Sequence, residues 1–271
     1  MESMNSILDT IIQKKKIEVE HSRTSTPQSM LEEYLANSPL PLNFSGALLG
    51  GDVRLIAEVK KSSPSKGILR PSFNAVELAC SYAENGAAAI SVLTDMHFEG
   101  NLTHLSDIKN SLDSASIPIL RKDFIIDPYQ IYEAKAFGAD AILLIVGVLE
   151  RQMLSEFLAI AKTLWVQCLV EIHSEQELQI ALDCGAEIIG INNRNLNTFK
   201  TNIDVTRELT PKIPKGKVIV SESGINTRET ILELGHIGVH AVLIGEGLVT
   251  SIDVGKQVRE FSGFSGLRGH C

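Results

Sequence analysis

Of 271 residues only four are cysteine, Cys80, Cys168, Cys184 and Cys271, and no two form a C-x-x-C pair. Such usage excludes a disulfide-built scaffold and fits a reducing compartment, so a cytoplasmic location is expected. The seven histidines, His173 among them, lie scattered without metal-ligand spacing; none is assigned to chemistry and no metal site is expected. Long apolar runs are missing too. No stretch approaches the ~20 residues a membrane helix needs, and the opening MESMNSILDT lacks the basic and apolar regions of a secretion signal. Positive charge is scarce: 25 Lys and Arg against 33 Asp and Glu leave a net charge of −8, which argues against a general nucleic-acid surface. The one dense basic run, Lys14-Lys15-Lys16, falls in a helical pattern and reads as a solvated face. No G-x-G-x-x-G follows the first strand pattern, which weakens a dinucleotide reading.

What the chain has is core. At 44% hydrophobic and 21% charged, its length suits one large globular domain. Short apolar runs rich in β-branched residues recur near 55–60 (LIAEVK), 88–94 (AAISVLT), 118–124 (PILRKDF) and 141–146 (AILLIV). Four more follow near 165–172 (WVQCLVEI), 188–194 (IIGINNR), 218–223 (VIVSES) and 241–245 (AVLIG). Their starts are 23 to 33 residues apart, the length of a strand, a helix and two loops. Helical patterns such as NAVELACSYAENG and SEQELQIALDCG fill the gaps and end in Gly, the usual residue just past a helix.

Alternating strands and helices imply a parallel sheet, and near-continuous apolar strands imply burial on both faces. Eight such units predict an α/β fold, a (β/α)8 TIM barrel over residues 46–258, with a doubly wound open sheet as the alternative. Residues 1–45 predict an N-terminal helical extension: Ile7, Leu8, Ile11, Ile12 and Val19 repeat at helical spacing, and Thr26-Pro27 opens a second helix. The extension either caps the barrel or serves as a partner-binding arm. Residues 259–271, with GFSGLRG, read as a C-terminal tail.

Side chains alternate along a strand, so Ile56, Glu58 and Lys60 share one face and Leu55, Ala57 and Val59 the other. A carboxylate and an ammonium aimed together into a buried place are costly unless paired or used. Other strands end alike: Lys122 on the third, Glu171 on the fifth, Asn192 and Arg194 on the sixth. Ser221, Glu222 and Ser223 close the seventh, and Gly245 and Glu246 the eighth. Strand C-termini are where this barrel class builds its sites. Structural ion pairs, Glu58 with Lys60 or Glu171 with Arg194, are the plainer reading; the gathering of ionisable groups at one end favours a site. SESGI at 221–225 and LIGEGL at 243–248 end the last two strands in small residues whose N–H groups can approach an anion. That is the habitual phosphate position of such barrels, although each could be a tight turn and nothing more.

AEVKKSSPSKG, ISVLTD, LRKDFIIDPYQIYEA, LVEIH, IGINNRNL and VSESGI together resemble the indole-3-glycerol phosphate synthase family of tryptophan biosynthesis, over nearly the whole chain. The resemblance implies ring closure, decarboxylation and dehydration of 1-(2-carboxyphenylamino)-1-deoxyribulose 5-phosphate. It implies Lys122 as general acid, Glu171 as general base, Lys60 as anion binder or acid, and Glu58 beside them as an orienting group. Asn192 and Arg194 would hold substrate hydroxyl and carboxylate groups, with Ser63 nearby. Pro64, Phe98, Phe124, Leu143 and Leu196 match the walls of the aromatic-ring site, and Ser223, Gly224, Gly245 and Glu246 the phosphate site. The resemblance implies a phosphorylated small-molecule substrate, no metal or organic cofactor, no nucleic acid and no membrane. A monomer is expected, with other enzymes of the pathway as candidate partners; a fused isomerase domain is not.

Three features depart from the family pattern. TDMHFEG at 94–100 is one residue shorter than usual, Gly247 stands where serine is common, and VTSIDVGKQV lacks a proline after its aspartate. None touches the acid–base set. Rival readings are a phosphoribosylanthranilate isomerase, which works with a Cys/Asp pair, a Schiff-base aldolase using Lys60 or Lys122, and a non-catalytic phosphosugar-binding barrel.

Overall fold

The computed structural model describes residues 7–63, 66–112, 115–195, 198 and 200–264. Eight parallel strands close into a barrel in chain order: β1 (Arg54–Val59), β2 (Ala89–Leu93), β3 (Ile119–Lys122), β4 (Ala141–Ile145), β5 (Gln167–Ile172), β6 (Ile188–Asn192), β7 (Val218–Glu222) and β8 (Ala241–Ile244). The ring is completed by β8 against β1, with Leu55 opposite Val242 and Ala57 opposite Ile244. The expected (β/α)8 barrel is the fold, and the open-sheet alternative falls with the closing pair. A two-stranded ribbon, Ser62–Ser63 with Gly67–Ile68, decorates the loop after β1.

Strand parity sorts the core into two layers. Ile56, Leu120, Leu143, Leu169, Val220 and Leu243 meet inside the barrel. Their neighbours Leu55, Ala57, Val59, Ile90 and Val92 face the surrounding helices. Burying such a side chain fully is worth ~1.5–3 kcal/mol, so a one-residue slip of any strand would reverse both layers at great cost.

The N-terminal extension comprises α1 (Ile7–Ser25), α2 (Gln28–Asn37) and the one-turn α3 (Phe44–Ala47). It closes the lower end of the barrel through α3. Phe44 and Leu48 are wholly buried in the inner core. The plug is pinned by Leu42 N–H to Asp140 Oδ1 at 2.7 Å and Ser45 N–H to Gln167 Oε1 at 2.9 Å, both at the starts of strands. Val19 of α1 and Leu31 of α2 pack on Tyr129, whose hydroxyl donates to the Ser22 and Thr26 carbonyls.

The buried stripe of α1 is Ile11, Lys15 and Val19, and this corrects one expectation. Lys14 and Lys16 are exposed, but Lys15 is not part of a solvated face. Its ammonium lies 2.7 Å from Asp95 Oδ2, 2.8 Å from Asp123 Oδ1 and 2.6 Å from Glu18 Oε2. Those carboxylates outweigh the effect of burial and hold the lysine above its usual pKa. At the other end of the chain, the helix Val254–Ser262 runs past residue 258 and buries Phe261. Residues 265–271 of the expected tail lie outside the described residues.

Candidate active site

The parity that points Ile56, Leu120, Leu169, Val220 and Leu243 inward carries on one step to the strand ends. There it aims Glu58, Lys122, Glu171, Glu222 and Gly245 into a single cavity of about 590 Å³, within the usual range for a small-molecule site. Asn192, the last residue of β6, and Lys60 and Arg194, just beyond their strands, join them. The ribbon supplies Ser63, whose buried Oγ has no hydrogen-bond partner among the described residues.

Three cations thus face three carboxylates at the barrel mouth. Lys60 Nζ pairs with Glu58 Oε1 at 2.8 Å. Lys122 Nζ stands between Glu171 Oε2 at 3.3 Å and Glu222 Oε2 at 3.4 Å. Burial pushes the Glu58 carboxyl up, but Lys60 and Lys122 outweigh it and hold the group ionised below the usual range. The same balance keeps Glu171 low, with Lys122 and His173 as the nearby positive groups and Asn192 as hydrogen-bond donor. Lys122 is held well above the ordinary lysine range: burial opposes its charge, yet Glu171, Glu222 and Glu58 prevail.

Glu222 is the exception. It is 1% exposed, and neither carboxylate oxygen finds a hydrogen-bond partner among the described residues. Burial and the neighbouring Glu171 push its pKa up to about 7 despite the pull of Lys122. The strand-end pattern pointed to Glu222 without giving it a role; its parity with Val220, the rule that singles out Glu171, was the available signal. Gly190 makes room for it, since a Cβ there would collide with Glu222 Oε1 and stand 3.1 Å from Leu169 Cδ1.

Apolar walls complete one side. Phe98 and Phe124 face each other with ring centroids 6.4 Å apart at 33°, and Leu143 lies on the cavity surface with them. The loop at 94–100 therefore brings its single phenylalanine to the site, anchored by Ser62 Oγ donating to the Phe98 carbonyl at 2.8 Å. Sequence reasoning missed the contribution of α1, which lays Ile7, Leu8 and Ile11 along the cavity. Their helical repeat was legible; which end of the barrel they cover was not. Pro64 and Leu196, also expected in the walls, lie outside the described residues.

On the opposite side the β7 and β8 loops bring Ser223, Gly224, Gly245 and Glu246 to the cavity. Ser223 adopts φ 67° and Gly224 φ 76°, a sharp left-handed turn. Gly245 begins the short helix Glu246–Val249, and a Cβ on it would strike Glu58 Oε1 and stand 2.9 Å from Lys60 Cε. The Glu246 carboxylate is engaged by Lys66, so what this residue offers the cavity is backbone. Arg194 is fixed by its own N–H donating to Asn192 Oδ1 at 3.0 Å, and its buried Nε has no hydrogen-bond partner among the described residues.

This arrangement can bind an anion at each end of an aromatic body and move protons between them. The family model for indole-3-glycerol phosphate synthase matches residues 8–261. An indole-3-glycerol phosphate synthase of Dehalococcoides mccartyi is 49% identical over 256 residues, covering 94% of this chain and 99% of its own. One from Roseiflexus sp. is 46% identical over 269 residues, covering 97% and 100%. Among solved structures, 3-hexulose-6-phosphate synthase of Salmonella typhimurium superposes with a TM-score of 0.64 at 16% identity, over 78% of this chain and 97% of that one. Thiamine phosphate pyrophosphorylase of Pyrococcus furiosus gives 0.61 at 16%, over 81% and 96%. At that identity the two barrels speak for the fold alone, whereas the family model and the closer relatives settle kinship: the chain belongs to the indole-3-glycerol phosphate synthase family.

Proposed function

We propose that Lys122 and Glu171 are the general acid and general base of the family's reaction in this chain. That reaction closes the ring of 1-(2-carboxyphenylamino)-1-deoxyribulose 5-phosphate, then releases carbon dioxide and water to give indole-3-glycerol phosphate, a step of tryptophan biosynthesis. The observation that carries the role assignment is the placement of Lys122. Its charged Nζ sits between Glu171 and Glu222 at 3.3 and 3.4 Å, in a cavity walled by Phe98, Phe124 and Leu143.

With the anthranilate ring against those walls, its ortho carbon attacks the ribulose carbonyl while Lys122 protonates the oxygen. Loss of carbon dioxide restores aromatic character. Glu171 then takes a proton from the neighbouring methylene and returns it to the hydroxyl, which leaves as water. Lys60, set by Glu58, and Arg194, set by Asn192, bind the substrate's anionic and hydroxyl groups, with Ser63 beside them. Ser223, Gly224, Gly245 and Glu246 cradle the phosphate by backbone, Ser223 adding its hydroxyl. All these residues come from one chain, as the monomeric enzyme proposed here requires. Cys80, Cys168 and Cys184 are free, which supports a reducing, cytoplasmic setting. Among the described residues no helix is long and apolar enough to cross a membrane.

The test is to incubate the purified chain with the carboxyphenylamino-deoxyribulose phosphate and follow indole fluorescence beside carbon dioxide release. Both signals are expected. Glu171→Gln keeps the shape of the side chain without its basic oxygen, so carbon dioxide should appear on time and indole late. Equal delay of both signals would overturn the division of roles.

A further inference from the structure

The reaction has a proton balance that the acid and base alone do not close. Starting from an ionised substrate carboxylate, one proton enters with the carbonyl oxygen and a second leaves with the hydroxyl as water. Only one returns, from the methylene. Each turnover therefore draws one proton from solvent, into a site whose base, Glu171, has a side chain only 2% exposed and whose acid, Lys122, is 15% exposed at the cavity.

Behind Glu171 lies a further pair of titratable groups. His173 follows β5 and shares the inward parity of Glu171. Its Nε2 stands 3.4 Å from Glu171 Oε1, buried and without a hydrogen-bond partner among the described residues. Its Nδ1 lies 3.2 Å from Glu177 Oε2. That carboxylate is locked in place: the same oxygen accepts the His173 backbone N–H at 2.7 Å, and the Glu177 N–H donates to Ser174 Oγ, which caps the helix Glu175–Asp183. A carboxylate facing Nδ1 makes that nitrogen the donor and leaves Nε2 to take up or release a proton toward Glu171. The Glu177 side chain is 23% exposed, against 2% for that of Glu171.

We infer that Glu177 and His173 form a proton relay from solvent through Glu171 to Lys122. Resting on the acid–base roles proposed above, it runs as follows. His173, charged at Nε2, passes its proton to Glu171 Oε1 and becomes neutral. Glu171, now a carboxylic acid, turns about its Cγ–Cδ bond and delivers a proton to the amine that Lys122 became on acting as acid. Glu171 returns to carboxylate, and His173 is recharged from water beside Glu177. No other reactant is needed. The groups that face His173 are Glu171 on its own strand, Glu177 on the next helix and Glu222 on β7; all three are acidic and favour the charged ring. Burial works the other way, and the net effect raises its pKa above the ordinary imidazole value.

The relay acts through Glu171, so its signature is turnover after the first. In His173→Gln, enzyme in excess of substrate should release carbon dioxide and form indole close to the wild-type rate, because Lys122 starts charged. Steady-state kcat should fall about 10- to 100-fold, the low end of what a positioned proton donor contributes, with KM unchanged. His173→Ala should behave alike and regain turnover when imidazole is added. Glu177→Gln keeps the hydrogen bond to the His173 backbone but removes the charge, so the alkaline limb of the kcat–pH profile should move to lower pH. A His173→Gln enzyme with steady-state kcat and pH profile within twofold of wild type would overturn the relay. So would an equal loss in first and later turnovers that imidazole does not restore, which would mark a structural role. Lys122→Met run in parallel separates the two claims: if it is inert while His173→Gln is unimpaired, only the relay fails; if it turns over normally, the acid–base reading itself fails.

Discussion

The two ends of this barrel are built by the same eight strands under the same alternation, yet they treat buried polarity in opposite ways. At the lower end Asp140 is 1% exposed and fully engaged: it accepts the Leu42 and Ile119 N–H groups at 2.7 Å each and pairs with Lys109 at 2.8 Å. The Lys15 cluster beneath α1 lies on the mouth side, just past the ends of β2 and β3 with Asp123 reaching the cavity surface, yet it is engaged in the same way, Asp123 being held by Lys15, Arg121 and the Thr94 hydroxyl at 2.6 Å. At the mouth, buried atoms of Glu222, Arg194, Ser63 and His173 have no hydrogen-bond partner among the described residues; elsewhere the same holds for Arg54 Nε at the start of β1, Ser91 Oγ inside the barrel and Asp95 Oδ2, which Lys15 pairs as an ion. A buried donor or acceptor left alone costs ~1–3 kcal/mol, so a fold keeps such atoms where something else will meet them. Burial and charge alone do not distinguish Asp140 from Glu222; satisfaction does.

That contrast can be broken by substitution at either end. The largest effect is expected at the mouth and on rate. Lys122→Met should lower single-turnover carbon dioxide release by ~10²–10⁴-fold, the range of a general acid. Near wild-type turnover would remove Lys122 from the acid role. The Lys15 cluster should answer in the other currency. Lys15→Met leaves Asp95 without its cation beside Asp123, which keeps Arg121, and uncompensated buried charge costs ~3–5 kcal/mol of stability, read by urea unfolding. Because α1 also carries Ile7, Leu8 and Ile11 to the cavity, KM should rise in step. Asp140→Asn should cost less, ~2–3 kcal/mol, since one amide cannot serve two N–H donors and an ammonium. Its kcat should stay at the wild-type value; a fall matching that of Lys122→Met would erase the distinction between the ends.

How far this was legible in the sequence follows from which interactions are periodic. Alternation within a strand and the recurrence of strands are local patterns, and they place Glu58, Lys60, Lys122 and Glu171 at one mouth without any knowledge of the fold's closure. Lys15 shows the limit. Helical spacing puts it on the stripe of Ile11 and Val19, but in a run of three lysines its charge suggests solvent, and its partners Asp95 and Asp123 are remote in sequence. His173 was passed over because a histidine next to a strand-end glutamate has no spacing signature; what distinguishes it is a carboxylate one helical turn on, fixed by a cap. Glu222 shares the parity of its neighbours, yet its unsatisfied state depends on the missing side chain of Gly190 across the sheet.

The smallest effect expected is also the one with a reversed sign, and it bears on Glu222. Its folded pKa of about 7 lies above the ordinary carboxylate value of 4.5, so the folded protein binds this proton more tightly than the unfolded chain does. Between those two values the native state carries the extra proton, and by linkage stability must fall as pH rises through that window. The full span would be worth ~3 kcal/mol at 1.36 kcal/mol per pH unit; an open, wettable cavity lets water offset part of it, leaving ~1–2 kcal/mol. Glu222→Gln removes the titration and keeps the shape. It should therefore be more stable than wild type at pH 8, by about that amount, and the gain should shrink toward pH 5, where the wild-type carboxyl is already protonated in the fold. Urea unfolding of both proteins at the two pH values measures it. The corresponding Asp140→Asn comparison should show the opposite sign at pH 8. A destabilised Glu222→Gln at pH 8 would mean that Glu222 is held by Lys122 as a structural ion pair, and the mouth would then obey the same rule as the base.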